Sequence, residues 1–393
     1  MKVLNVKPYH KRCQILNSIE AALCAITLAA QGAGRVVFYE VEPRRYVLAM
    51  AGGAEEYHGF LGSLALAWAA VGSTPVVGGN ASGLGRMLIP AKTKLAGIVS
   101  RLSGSWDQSV GNETQATDGC LELIQSLQLN LDGKVRRPFS GPILFELNRI
   151  VNRGAGPQTD PAVGVGNGKA FSALLYHDMG FFDAEGPISN EDPRAYREST
   201  YLDLGLYQNA FIELQGAPFS AYVSGNTQAN MAATMAFTTV EIIGAPPNLP
   251  QTHFEAQLVN NVDMTSTGVD RIIQLNREGL IIRGVLARVG TLSATPRVLA
   301  VTALPQIGIE GKPKAGGRII SKDKQPVAVY QNEVAIGRNG IQLRAGHVLI
   351  DLANNRKRSS HLVGSTYDDL RARYDVTGTA NSTMELYELV KTR

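Results

Sequence analysis

Apolar and polar residues alternate with a period of two along much of the chain, the pattern of strands with one buried face. Leu127, Leu129 and Leu131 alternate with Gln128 and Asn130, and Asp132-Gly133 directly after them is a hairpin-turn signal. Near the end, Leu370, Ala372, Tyr374 and Val376 share one side, while Arg371, Arg373, Asp375 and Thr377 share the other. The pattern predicts further strands at 201–206, 210–214 and 238–243, then at 271–275, 280–289, 297–304, 307–310, 326–330, 348–352, 370–376 and 383–389. A short helix is predicted at 142–150, followed by an irregular loop at 152–169 rich in Gly, Pro, Asp and Asn.

The beginning of the chain differs. Asn17 or Ser18 can cap a helix to about Gln31, where Gly32 and Gly34 end it. A hairpin is expected from 36–41 and 46–50 around Pro43-Arg44-Arg45, then a second helix at 60–71 and a Gly-, Ser- and Pro-rich linker at 72–85. Three prolines within Gly244–Pro250 exclude a continuing helix or central strand and mark the clearest boundary. The expected domains are a mixed α/β N-terminal extension (1–84), a first sandwich (85–245) and a second (246–393).

Two phrases suggest that the sandwich is written twice. Leu127–Lys134 is echoed by Ile307–Lys312, each read as strand, turn and lysine. Leu370–Thr377 with Thr383–Glu388 is echoed, more loosely, by the stretch from Gly225 with Thr239–Ile243. The spacing requires extra residues in the first copy, for which 152–169 and 185–192 offer room.

Composition narrows the function classes. The 393 residues include 41 glycines and only 18% charged residues, which suits short strands and long loops rather than helical bundles. A net charge of +4 with three short basic clusters (Lys2 to Arg12, Lys134 to Arg137, Arg356 to Arg358) does not support nucleic-acid binding. Cys13, Cys24 and Cys120 lack metal-ligand or disulfide-scaffold spacing and read as free thiols. The apolar runs at 19–30 and 60–71 fall short of the roughly 20 residues of a membrane span, and 19–30 has no clean cleavage site for a secretory leader.

No constellation for catalysis emerges. Gly164–Ala170 resembles a phosphate-binding loop but lacks its first glycine and has Ala170 in place of the hydroxyl. Gly32-Ala-Gly34 precedes a strand instead of following one. The six histidines are dispersed, with His177-Asp178 and His253-Phe-Glu255 the nearest approaches to a ligand or acid–base pair. Ser103-Gly104 and Ser224-Gly225 read as turns, and Asn80, Asn112 and Asn381 begin Asn-x-Ser/Thr triplets of no evident meaning. No catalytic, cofactor-binding or metal-binding residue is assigned, and no enzyme activity or cofactor is expected.

All-β architecture with two tandem antiparallel jelly-roll sandwiches is the expected fold. The segments Ile124–Lys134 and Asp270–Arg283, with the ending Leu370–Val376 and Ser382–Leu386, resemble the double jelly-roll major capsid proteins of tailless icosahedral viruses, the tectivirus and corticovirus type that includes bacteriophages. The resemblance covers about residues 86–393 and lies in pattern and order. It implies a structural protein of the virion, assembled in the host cytoplasm. Homotrimers would form pseudo-hexagonal capsomers beside penton and minor capsid proteins, over an internal membrane surface in some viruses. Outer loops would crown the shell, and the N-terminal segment would face inward. A β-sandwich carbohydrate-binding or phage tail/adhesin protein is the alternative, and an enzyme on a jelly-roll scaffold a third. A sugar binder should present exposed aromatic platforms, yet Trp68 and Trp106 are the only tryptophans and aromatics make up 7%.

Overall fold

The computed structural model describes residues 5–6, 36–42, 45–50, 55–90, 94–152, 156–179, 201–225, 227–243, 253–275, 280–292, 297–299, 301–317, 319–337, 340–352 and 362–392. The helix expected at 19–30, and Cys13, Cys24, His10 and His361, lie outside them. The expected early hairpin is present: β2 (Val36–Glu42) pairs antiparallel with β3 (Arg45–Met50), and β1 (Asn5–Val6) adds to β2.

The first roll consists of β4 (Glu55–Ala67), β5 (Val76–Val77), β6 (Leu84–Leu88), β7 (Lys94–Gln108), β8 (Ile124–Leu131), β9 (Lys134–Phe139), β10 (Gln158–Thr159), β11 (Gly166–Asp178), β12 (Leu202–Asp203), β13 (Ala210–Gly216) and β14 (Gln228–Ile243). Helix α1 (Gly141–Asn152) lies between β9 and β10. A seven-stranded sheet runs β10-β11-β7-β14-β4-β5 with β12 on β7, and a four-stranded sheet runs β6-β13-β8-β9.

The second roll repeats this wiring with β15 (His253–Asp263), β16 (Gly268–Gln274), β17 (Leu280–Thr291), β18 (Val298–Leu299), β19 (Gln306–Pro313), β20 (Ile319–Pro326), helix α2 (Val327–Gly337), β21 (His347–Asp351), β22 (Leu362–Val363), β23 (Tyr367–Val376) and β24 (Thr383–Thr392). Its small sheet is β16-β23-β19-β20. In its large sheet β15-β24-β17 is flanked by β21 and β22 on β17. Thus β4-β14-β7-β11 corresponds to β15-β24-β17-β21, and β6-β13-β8-β9 to β16-β23-β19-β20. Each helix follows the fourth strand of its small sheet. All pairings are antiparallel, and the wiring is that of two jelly rolls in tandem.

Several local expectations are corrected. Residues 60–71, expected as a helix, fall largely on strand β4, which pairs with β14 along its length. Leu64, Leu66 and Trp68 alternate inward while Ser63, Ala65 and Ala67 are exposed; so apolar and alanine-rich a run satisfies either period. The stretch 72–85, expected as a linker, holds β5 and the start of β6, with Gly78, Gly79 and Gly83 at positive φ in the turns between them. Residues 326–330, expected as a strand, open helix α2, whose Val327, Tyr330 and Val334 are buried at helical spacing behind Pro326. Residues 201–206 and 297–304 are each a two-residue strand with a short 3-10 turn. The loop expected at 152–169 contains β10 and the start of β11.

The echoes are half right. Leu127 and Ile309 do lie on equivalent strands, β8 and β19, but Gly133 turns at φ 83° whereas Gly311 stays within its strand. The counterpart of β23 is β13, not the stretch from Gly225. On the last strands, Thr239–Ile243 ends β14 whereas Thr383 begins β24. The first roll's extra length lies partly in β11, with 13 residues against 5 in β21.

Both cores form between the two sheets of a roll. Fully buried Trp106 on β7 meets Phe171, Phe219 and Tyr222 with ring centroids 5.7, 5.6 and 5.2 Å away. Gly104, also on β7, admits no side chain: a Cβ there would collide with the Ala232 carbonyl oxygen on β14 and crowd Phe171. Gly104→Ala is therefore expected to cost ~1–3 kcal/mol by overpacking, read as a lowered urea midpoint, and an unchanged midpoint would contradict this packing.

Candidate assembly surfaces

The sheets carry bulges that register the two rolls against each other. In the first roll Val240 of β14 pairs with Gly97 of β7 and Glu241 with Leu95, leaving Ala96 extra. In the second, Leu389 of β24 pairs with Gly284 of β17 and Val390 with Ile282, leaving Arg283 extra. A second bulge agrees with this alignment: Leu61 is extra where Thr238 pairs with Phe60, and Val259 where Tyr387 pairs with Leu258. Two independent bulges at the same spacing equate Phe60 with Leu258, Thr238 with Tyr387, Val99 with Leu286, Arg101 with Arg288 and Tyr176 with Leu349. Bulges are designed irregularities, so their recurrence is a firmer marker of repetition than short strand phrases.

With that registration, the outer face of the second roll's large sheet is covered by the first roll. Leu286, Leu349, Tyr387 and Leu389 are buried in one apolar cluster with Leu121, Ile143, Leu147 and Ile150 from the first roll. Helix α1 is consequently buried on nearly every side, with only Arg149 partly open over the span Gly141–Ile150. Burial raises the Tyr387 phenol, which lies beside Ser140 at the start of α1. Arg149 donates to the Gln342 carbonyl oxygen at 2.6 Å, the Arg344 amide donates to Glu146 at 3.1 Å, and the Arg344 guanidinium lies 5.1 Å from the Phe145 ring centroid.

A buried ion cluster pins this seam. Arg288, fully buried on β17, pairs with Asp118 at 3.0 Å, with Glu385 at 3.3 Å and with Glu122. Arg297 reaches Glu122 at 3.0 Å and Arg344 reaches Asp118 at 2.9 Å. Asp118 precedes and Glu122 lies within a 3-10 turn of the first roll (Gly119–Leu123), so acids of the first roll meet cations of the second. Burial raises the Glu122 carboxyl against the opposing pull of Arg288, and the three acids raise Arg288 against burial. None of these residues stands out in the sequence as a functional candidate. The one readable signal was Arg288, a cation within the otherwise apolar run 284–289.

His347 lies in the same seam, fully buried, with Asp118, Glu146, Arg288 and Arg344 around it. Burial, the largest cause, lowers its pKa below the usual 6.5, assisted by the two cations and opposed by the two acids. The folded state therefore binds the proton less readily than the unfolded one. Its contribution is fully present above about pH 6.5 and is lost as pH falls, by up to ~1.4 kcal/mol per pH unit. The raised Glu122 acts in the opposite sense, so the comparison is differential: the stability advantage of the native chain over His347→Gln is expected to shrink between about pH 7 and 5. A constant difference in urea unfolding free energy across that range would refute it.

The polar side of β23 is outward, as its alternation predicts. Glu310 of β19 receives Arg371 at 2.5 Å and Arg373 at 2.9 Å, and Asp270 receives Arg373 at 2.7 Å and Lys324 at 2.5 Å. Hydrogen bonds from Lys324 and Arg373 lower the Asp270 carboxyl. On the small sheet of the first roll, Glu213 accepts from Arg86, Gln128 and Asn130.

The remaining sequence candidates do not converge. Lys169 is buried over Trp106 and donates to Glu113 at 2.6 Å and the Gly164 carbonyl oxygen at 2.7 Å, so its charge is already matched by a carboxylate from another segment. His177 faces inward beside the Phe139 ring, 5.1 Å between centroids, while Asp178 follows on the other side of the strand. The side chains of His253 and Glu255 lie outside the described residues. Cys120 is buried, which raises its thiol. Among the described residues no three His, Cys, Asp or Glu side chains are grouped to hold a metal ion.

No family model and no curated protein matches the chain. Solved structures do. The major capsid protein of Sulfolobus Turreted Icosahedral Virus aligns with a TM-score of 0.62 at 15% identity, over 86% of this chain and 97% of that one. The major capsid protein P2 of bacteriophage PM2 gives 0.55 at 11% identity over 86% and 97%, and the PBCV-1 virus capsid 0.55 at 11% over 86% and 94%. The chain has the double jelly-roll fold of viral major capsid proteins.

Proposed function

We propose that the chain is a viral major capsid protein, a structural protein of an icosahedral virion and not an enzyme. The observation that carries this reading is the seam: one jelly roll is built against the flank of its own repeat, the contact from which a ring of rolls is made. Three chains would give six rolls and a pseudo-hexagonal capsomer, joining neighbouring capsomers in a shell. Within this reading the second domain begins after Gly244–Pro250, the first takes in β4, and the residues before Glu55 form the extension. Lys2, Lys7, Lys11 and Arg12 would give that extension an affinity for an anionic membrane surface at the inner face. Penton and minor capsid proteins are the further partners.

Sugar binding has less support, because Trp68 and Trp106 are both buried. Electron microscopy of the purified protein tests the proposal. Hexagonal particles, or shells under crowding conditions, are expected; dispersed monomers under every condition would overturn it.

A further inference from the structure

The topology sorts the connections of both rolls into two ends. Ala67, closing β4, pairs with Ala232 early in β14, and Leu84, opening β6, pairs with Gln215 late in β13. Residues 68–83 and 217–227 therefore lie together at one end of the first roll. Thr383, opening β24, pairs with Asp263 and Gly290, and Gly268 pairs with Val376, which places 264–267 and 377–382 at the matching end of the second. Thr117 follows β7 and Arg297 follows β17; the Thr117 amide donates to the Arg297 carbonyl oxygen at 3.1 Å, so the two ends form one crown. Glu55 pairs with Ile243, so the N-terminal extension joins β4 at the opposite end.

Charge and acceptor motifs divide along the same axis. The crown connections 68–75, 78–83, 217–227, 264–267 and 377–382 hold no Asp, Glu, Lys or Arg. At the opposite end 89–93, 132–133, 179–201, 275–279, 314–318 and 352–361 all hold charged residues. All three Asn-x-Ser/Thr triplets fall on the crown, each with its asparagine exposed: Asn80 between β5 and β6, Asn112 after β7, and Asn381 between β23 and β24. Valines are exposed beside two of them, Val76 at 41%, Val110 at 47% and Val165 at 69%. Val77 bridges to Asn80, Val110 stands two residues before Asn112, and Gly111 packs beside Val165. Exposed apolar groups on a surface without charge favour unwanted association, and bulky attached sugar supplies the missing hydration.

Resting on the capsomer reading above, in which the extension faces inward and the crown outward, we propose that Asn80, Asn112 and Asn381 are N-glycosylated. The donor is a nucleoside-diphosphate sugar, and a host transferase reads the Asn-x-Ser/Thr triplet. The asparagine Nδ2 attacks the anomeric carbon, forming an N–C bond as the C–O bond to the diphosphate breaks. The proton lost from Nδ2 passes to a base of the transferase, and the nucleoside diphosphate leaves. The folded loops suit this step. The Ser82 amide donates to Asn80 Oδ1 at 3.0 Å, and Asn80 Nδ2 donates to the Leu84 carbonyl oxygen at 3.0 Å, a bond that its second hydrogen keeps after substitution. In the second triplet Glu113 is buried while Asn112 and Thr114 are exposed.

The test is the intact mass of the chain isolated from the cells that produce it. The mass should exceed that of the sequence, and Asn80→Gln, Asn112→Gln and Asn381→Gln should each remove one sugar addition. Ser82→Ala should remove the addition at Asn80 while Ser82→Thr keeps it, a pattern that damage to the turn would not produce. The bare sequence mass, or sugar confined to residues outside these triplets, would overturn the inference, and any one site found bare falls from it. In parallel, the recombinant chain is treated with a purified cytosolic transferase that reads the triplet, and with UDP-glucose. Hexose should be added at all three asparagines without denaturant; addition only after urea treatment, or none at all, would show them closed to an enzyme and would equally overturn the inference. An unmodified chain that assembles would overturn this inference alone. A glycosylated chain that stays monomeric would overturn the capsomer reading alone.

Discussion

Arg288→Ala is expected to lower the unfolding free energy by about 3–5 kcal/mol, because it strands Asp118 and Glu122 as buried acids without their principal cation. Loss of a surface partner would be far smaller. Arg371→Ala, on the outer face of the small sheet, should cost only ~1 kcal/mol, since that arginine is about a third exposed. The decisive comparison is Arg288→Met combined with Asp118→Asn and Glu122→Gln. If stranded charge dominates, the triple variant is more stable than Arg288→Ala even though it has lost every ion pair of Arg288 with the first roll. Urea unfolding followed by circular dichroism measures both. A cost below about 1 kcal/mol for Arg288→Ala would mean that the seam is not held as described. Because the cluster lies between rolls, the same variant should also loosen their coupling, seen as two separated unfolding transitions in place of one.

Trp106→Ala is expected to cost about 3–5 kcal/mol. The indole is fully buried, touches three other rings and supports the buried Lys169. Trp106→Phe keeps an aromatic ring in the cluster and should recover most of the loss. This pair also bears on the sugar-binding alternative, since a binding platform would lose ligand affinity while retaining stability. Loss of stability in Trp106→Ala, with recovery in Trp106→Phe, is the pattern of a core residue.

The antiparallel β-sandwich class was legible because β8 and β23 are one-sided strands, and one-sided strands record their period in sequence whatever their partners; the jelly-roll topology entered only with the family resemblance. Partners are another matter. Period two says which side chains share a face but not which strand lies alongside, so β23 was matched with the stretch from Gly225 when its counterpart is β13. The bulges at Ala96 and Arg283 register the repeats correctly. Each exists only as a mismatch between paired strands, which no single segment encodes. Strand β4 was misread because alanine-rich apolar runs fit both periods, and α2 because Val327, Val329 and Tyr330 favour strands locally while the docked helical face decides. The seam was invisible for a further reason. Asp118 and Arg288 meet across 170 positions, and acids that pair only after two domains have folded look like ordinary surface residues.

Whether this double jelly roll builds capsomers is read from native mass spectrometry of the purified chain. A dominant species of three chains that persists on dilution to the micromolar range is expected. A dominant single chain at every concentration and salt condition would contradict it.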